Sequence, residues 1–126
     1  MAVEQPLFIY GTLLSAYDAG GFLTGIPRVE AKTRGELFDL PSGYPALRPI
    51  GTEWVYGELT QRPIDLRLLG ILDVYEGVPE GLFRRVVVDA HVGLRSFAAW
   101  AFVMDDPAAR GGRPLPNGRW RPVRRR

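Results

Sequence analysis

The residues best suited to chemistry lie in two short segments, Leu7-Phe8-Ile9-Tyr10-Gly11-Thr12-Leu13 and Leu72-Asp73-Val74-Tyr75-Glu76-Gly77. In the first, an apolar run of strand type stops at Gly11 and a small polar residue follows, a pattern that turns backbone N–H groups outward. Such amides bind an anion or a developing oxyanion. In the second, a carboxylate closes an apolar helical pattern just before a glycine. Counting back from Glu76 by helical steps meets Leu72 at four and Leu69 at seven, so the acid shares a face with leucines that should point inward. Burial there raises a carboxyl pKa, and a helix C-terminus disfavours an acid by roughly 0.3–1 kcal/mol. Rules broken twice at one residue are characteristic of functional sites. Patterning alone favours the plainer reading, a solvated Glu76 ahead of a Gly77 C-cap.

Composition removes most other chemistries. Without cysteine, thiolate catalysis, disulfides and cysteine metal sites are excluded. The single histidine, His91, lies close to a turn at Gly93 and reads as an exposed strand-end residue, with no second histidine to complete a usual zinc site. Ser15, Ser42 and Ser96 lack the Gly-x-Ser-x-Gly elbow. No Walker loop or Gly-x-Gly-x-x-Gly is present, so no cofactor is expected. Carboxylate chemistry is what remains. Asp73 and Glu76 lie three apart on one helical face, the wrong arrangement for a glycosidase, whose two acids flank a sugar about 5–10 Å apart. Asp73 reads instead as a support for the loop or for an arginine such as Arg84, and Glu58 and Glu80 are weaker acid candidates.

Five stretches occur in an order that resembles the gamma-glutamylcyclotransferase-like family, including its AIG2-like and gamma-glutamylamine cyclotransferase branches. They are Tyr10-Gly11-Thr12-Leu13, Gly43-Tyr44-Pro45-Ala46-Leu47, Val55-Tyr56-Gly57-Glu58-Leu59, Leu72-Asp73-Val74-Tyr75-Glu76-Gly77 and Phe83-Arg84-Arg85-Val86-Val87-Val88. The resemblance spans residues 6 to about 104. It implies an α+β fold on a small mixed β-barrel with one or two short helices, and a small-molecule gamma-glutamyl substrate held between the 10–13 turn and the glutamate after the helix. By the same resemblance, Glu76 is the catalytic residue of an amide-bond-cleaving acyltransferase or lyase. The substrate's α-amine attacks its own γ-carbonyl, releasing 5-oxoproline and an amine. Such a reaction requires a general base, a general acid and oxyanion donors. One carboxylate can serve as base and acid, helped by a pKa shifted toward 6–7. Gly11, Thr12 and Leu13 are the candidate amide donors, and Gly11 admits close backbone approach. Tyr10 and Phe83 complete the expected binding residues, with Tyr44 a further candidate. Two departures stand out. Phe83 replaces a tyrosine common in the family, and a second, later tyrosine has no counterpart, which keeps a non-catalytic metabolite-binding member of the fold as the alternative.

These segments must be positioned by short elements. Residues 6–10 read as a strand, 27–40 and 52–60 as strands joined through a Pro/Gly-rich connection, 64–75 as a helix with Pro63 in its first turn, and 83–91 and 94–104 as a hairpin turning at His-Val-Gly. A chain of 126 residues with 46% hydrophobic content folds as one domain without staples. Residues 1–109 form the expected domain. Residues 110–126 form an arm with seven arginines and no acid, against nine basic and fourteen acidic groups in the remainder. The arm reads as an extension wrapping the acidic domain and burying Trp120, although one that folds over the site would serve as a lid. Phosphate contacts by the arm are the weaker alternative, so neither nucleic acid nor membrane is an expected partner. With no eighteen-residue apolar run and no basic-then-apolar leader, the expected location is cytoplasmic.

Overall fold

The structure is a computed structural model that describes residues 4–17 and 19–122. Eight strands and one α-helix follow one another along the chain: β1 (Phe8–Ile9), β2 (Arg28–Arg34), β3 (Glu36–Asp39), β4 (Pro45–Arg48), β5 (Trp54–Thr60), α1 (Leu66–Tyr75), β6 (Arg84–Val92), β7 (Arg95–Val103) and β8 (Arg113–Pro114). Two single-turn 3₁₀ segments, Ala19–Gly21 and Ala108–Arg110, sit in connections. The fold is thus α+β, as expected.

The strands form one mixed sheet in the order β1-β5-β2-β6-β7-β4-β3-β8. All ladders are antiparallel except β4 with β7, which run parallel through Leu47 and Val103. The sheet curls without full closure, so the expected barrel describes it loosely. Because β1 has only two residues, it meets β7 through a single parallel bridge, Leu7 with Trp100, supported by the Trp100 N–H donating to the Pro6 carbonyl at 2.8 Å.

The apolar run at residues 7–10 divides two cores. Leu7 and Ile9 belong to a cluster with Leu69 and Leu72 of α1 and with Phe83 and Phe102. Phe8 and Tyr10 face the opposite way, into a cluster with Leu47, Val55, Leu59 and Trp120. A strand buried on both faces has no polar side to alternate, and therefore reads as a continuous apolar run. Ala31, Ala90, Ala99 and Ala101 line the second cluster, where small side chains suit a tightly curled interior. Gly57 of β5 is required by the close passage of β1, since a Cβ there would lie 1.9 Å from the Ile9 carbonyl oxygen.

Several boundaries differ from the sequence reading. The stretch 27–40 is two strands, broken at Gly35, where a Cβ would sit 2.8 Å from the Arg48 carbonyl oxygen. Helix α1 begins later than expected, because Asp65 caps it by accepting from the Leu68 N–H at 2.8 Å, and this places Pro63 ahead of the cap. The hairpin pairs Val92 with Arg95, so its loop is Gly93-Leu94 rather than His-Val-Gly. His91 is not an exposed strand end. It is half-buried, edge-on to Trp54 with centroids 5.2 Å apart. No described helix is long and apolar enough to cross a membrane.

Candidate functional site

Helix α1 ends in a way that decides the environment of Glu76. Gly77 takes φ +70°, its N–H donates to the Val74 carbonyl at 3.1 Å, and the Val78 N–H donates to the Asp73 carbonyl at 2.9 Å. This is the Schellman arrangement, with Glu76 as C-cap. A side chain at residue 77 would have to adopt a left-handed conformation and meet Leu82 Cβ at 3.0 Å. The chain then closes on itself through the Leu82 N–H to the Gly77 carbonyl at 3.0 Å, carrying Leu82 and Phe83 to the same place as Glu76. Both halves of the sequence pattern are therefore present. Gly77 is the left-handed residue that follows the cap, and Glu76 is half-buried rather than exposed.

Glu76 lines a pocket of about 280 Å³ whose walls come from residues 7–13, Tyr44, Pro45, Tyr75, Leu82, Phe83 and Phe102. Desolvation among these groups pushes its carboxyl pKa up to about 7. Among the described residues, no side chain hydrogen-bonds or ion-pairs with it. Across the pocket, Gly11 to Leu14 form a turn closed by the Leu14 N–H to the Gly11 carbonyl at 3.0 Å. Among the described residues, the N–H groups of Gly11, Thr12 and Leu13 find no acceptor. A titrating acid in an apolar pocket and three unspent amides therefore share one cavity, an arrangement suited to moving a proton beside a carbonyl whose oxygen gains charge.

Tyr10 lines the pocket, but its hydroxyl is committed. It donates to the Phe102 carbonyl and accepts from the Leu47 N–H at 3.2 Å. Burial, with the nearby charge of Glu76, drives its pKa well above the usual tyrosine value, so it stays neutral. Gly11 is required by a protein neighbour, because a Cβ there would lie 2.7 Å from Cγ of Pro45. Tyr44 and Phe83 are adjacent in the wall, with ring centroids 6.2 Å apart.

Asp73 supports an arginine, but that arginine is Arg85 and not Arg84. Arg85 donates to both Asp73 carboxylate oxygens at 2.7 and 3.1 Å and stacks over Trp100 at 4.4 Å. Strand alternation sends Arg84 to the other face, where it pairs with Asp105 at 2.7 Å. The arm does not line the pocket over its described residues. Its Trp120 is only 5% exposed, in the second core, and donates to Asp39 at 3.2 Å. Residues 124–126, the Arg-Arg-Arg end of the arm, lie outside the described residues.

Sequence reasoning missed the fastening of the turn. Glu58 is not an acid aimed at the pocket, since one of its oxygens accepts from both the Ser15 N–H at 2.8 Å and the Ser15 hydroxyl at 3.0 Å. Its backbone pairs with Ile9, so one residue of β5 holds both ends of the 9–15 segment. Arg28 reinforces the middle by donating to the Leu13 carbonyl at 2.8 Å. The signal available was Glu58 within the Val-Tyr-Gly-Glu-Leu stretch, unreadable without knowing which segment β5 pairs. Glu58→Gln keeps the shape but weakens a charge-assisted bond by about 1 kcal/mol. The expected result is a five- to tenfold faster amide exchange at Ser15, read by hydrogen-exchange mass spectrometry, with little change elsewhere.

The fold and the site define a class: a small α+β domain on a curled mixed sheet, with one isolated acid facing a backbone turn across a pocket. Solved structures share this fold. The chain superimposes on YkqA from Bacillus subtilis with a TM-score of 0.69 at 20% identity, covering 94% of this chain and 40% of that one. An AIG2-like protein from Mus musculus matches with a TM-score of 0.69 at 19% identity, covering 82% of this chain and 78% of that one. A gamma-glutamyl cyclotransferase matches with a TM-score of 0.63 at 14% identity, covering 81% and 67%. The chain thus spans well under half the length of YkqA, and at these identities the likeness is one of fold. No curated protein matches in sequence. Residues 7–122 match the family described as gamma-glutamyl cyclotransferase, AIG2-like, and the chain belongs to that family.

Proposed function

We propose that this chain is a gamma-glutamyl cyclotransferase-type enzyme with Glu76 as its general acid and base, acting in the cytoplasm. The observation that carries the reading is that Glu76 and the 11–13 turn line one pocket, the carboxylate and the turn's amides having no hydrogen-bond partner among the described residues. In the proposed reaction, the substrate's α-ammonium gives a proton to the Glu76 carboxylate, and the freed amine nitrogen bonds to the γ-carbon. The carbonyl electrons move to oxygen, where the amides of Gly11, Thr12 and Leu13 supply hydrogen bonds. Collapse breaks the original C–N bond as Glu76 returns its proton to the departing amine, and the regenerated carboxylate takes the surplus proton from the ring nitrogen and passes it on, so that the amine leaves as an ammonium. The products are 5-oxoproline and a free amine, with no external nucleophile and no redox change. Tyr10 and Phe83 contribute ring surface to the substrate's apolar contacts.

Release of 5-oxoproline from gamma-glutamyl dipeptides, glutathione and gamma-glutamyl-lysine tests this reading. The base form of Glu76 starts the reaction, so kcat/KM is expected to rise about tenfold per pH unit below about 7 and level off above it. A profile flat from pH 5 to 8 would remove Glu76 from the proton transfer. A second reading, a binding module for a small anionic metabolite, is favoured by Phe83, which offers no hydroxyl to orient a substrate. It predicts saturable binding of gamma-glutamyl compounds with no release.

A further inference from the structure

Helix α1 is apolar almost all the way round. Two of its ten residues are charged, Arg67 and Asp73, and Asp73 is held by Arg85. A helix of this composition is normally covered on every side, yet the fold covers one side only. Leu69 and Leu72 enter the first core with Leu68 packed against it, while Leu66, Gly70, Ile71, Val74 and Tyr75 are exposed, Val74 at 67%. Leu66, Gly70 and Val74 form one ridge at four-residue spacing, and Arg67, Ile71 and Tyr75 form the next. Gly70 sits at the centre of this face. Glycine weakens a helix interior relative to alanine, and the fold itself gives no reason for it, since a Cβ at residue 70 would meet nothing within 4 Å. A gap in the middle of an uncovered apolar face is what the close approach of another backbone needs.

The two ends of the face carry opposite charge. Arg62 and Arg67 mark the N-terminal end, where Asp65 is spent on the cap, and Glu80 with the partial negative charge of the last helical carbonyls marks the other. Among the described residues, Arg62, Arg67 and Glu80 have no ion-pair partner. A face of this kind is complementary to itself when turned end for end. Crossing two copies antiparallel at Gly70 sets Leu66 of each against Val74 of the other and carries each basic end over the other's acidic end, as an isologous two-fold interface requires. A parallel crossing would stack like charges.

We propose that the exposed face of α1 is the contact between two copies of this chain, paired antiparallel across Gly70. Tyr75 stands at the edge of this contact and also lines the Glu76 pocket, so pairing places the second copy beside the pocket. Pairing of this kind does not depend on the reaction at Glu76. Sedimentation velocity of the full chain over a concentration series tests it. A contact this small belongs to the weak class, so a dissociation constant on the order of 10–100 μM is expected, loosening as salt screens the charged ends. Val74→Glu, at a position exposed in the single chain, is expected to raise that constant about tenfold or more by burying an unpaired charge in the contact. Gly70→Ala separates the two roles of the glycine. It should raise the thermal midpoint of the dilute, monomeric protein by strengthening the helix, while weakening the pairing about fivefold or more through the added Cβ at the crossing. A wild type that stays monomeric throughout the series would overturn the proposal and leave the face to a partner of another kind. Dimers that either substitution leaves as tight as wild type would also overturn it, by placing the contact elsewhere or the crossing away from Gly70.

Discussion

Glu76→Gln is expected to lower 5-oxoproline release by about 10²–10⁴-fold, the usual contribution of a positioned acid–base group. The amide preserves the side-chain shape and removes the titrating proton, so the loss should fall on kcat more than on KM. The same substitution should make the folded protein more stable. In the fold the Glu76 carboxyl is pushed up to about 7 by desolvation, above its value in the unfolded chain, so the folded state holds its proton more tightly. For an acid shifted in this direction, folding is unpenalised below the unfolded pKa. It loses stability as pH rises from the unfolded value to the folded one, and the full cost is present above pH 7. A shift of this size corresponds to about 3 kcal/mol as an upper bound. Glutamine has no such cost. Thermal unfolding should therefore show the variant gaining several degrees over wild type at pH 8 and almost nothing at pH 4. A variant that is inactive yet no more stable at pH 8 would mean that the carboxylate is solvated in the resting protein. Stability traded for a strained functional group is a familiar relation.

The largest stability loss is expected from Trp120→Ala. Trp120 is 5% exposed within the cluster formed by Phe8, Tyr10, Leu37, Leu47 and Val55. Its indole N–H donates to Asp39, and its ring meets Tyr17 edge-on at 5.5 Å. Truncating a buried tryptophan to alanine costs about 3–5 kcal/mol through lost transfer energy and the cavity left behind. A urea denaturation midpoint lowered accordingly, with the slope unchanged, would establish the arm as part of the core. A drop below 1 kcal/mol would show that the arm peels away at little cost. Docking of the arm rests on more than this ring. The Gly118 carbonyl accepts from the Tyr56 N–H at 2.8 Å, and the Leu115 N–H donates to the Leu37 carbonyl at 2.8 Å. Gly118, at φ +68°, leaves no room for a Cβ, which would lie 2.0 Å from the Trp54 carbonyl oxygen.

The two segments that form the pocket were legible in the amino-acid sequence because each rests on local rules. An apolar run buried on both faces and stopped by glycine marks β1 and its turn, and leucines at helical spacing with a glycine behind them mark α1 and its cap. The helical count from Glu76 back to Leu72 and Leu69 anticipated burial of the acid, since a residue shares its face with those four and seven positions earlier. Pairings between segments distant in sequence carry no such local signature. Asp73 selected Arg85 over Arg84 because strand alternation sends adjacent residues to opposite faces. Strand β4 was hidden in a Pro/Gly-rich connection, and its four residues gain their place only by pairing with β3 and β7. Glu58 read as a possible acid, and became a fastening for Ser15 once β5 lay beside β1. What the sequence determined by itself was the chemistry available: a carboxylate on the leucine face at a helix end, an apolar strand stopped by glycine, and no thiol or histidine pair to compete. What tertiary structure decided was which side chains those groups face, because the charges and walls around Glu76 are assembled from strands and loops whose contacts form only when the sheet curls.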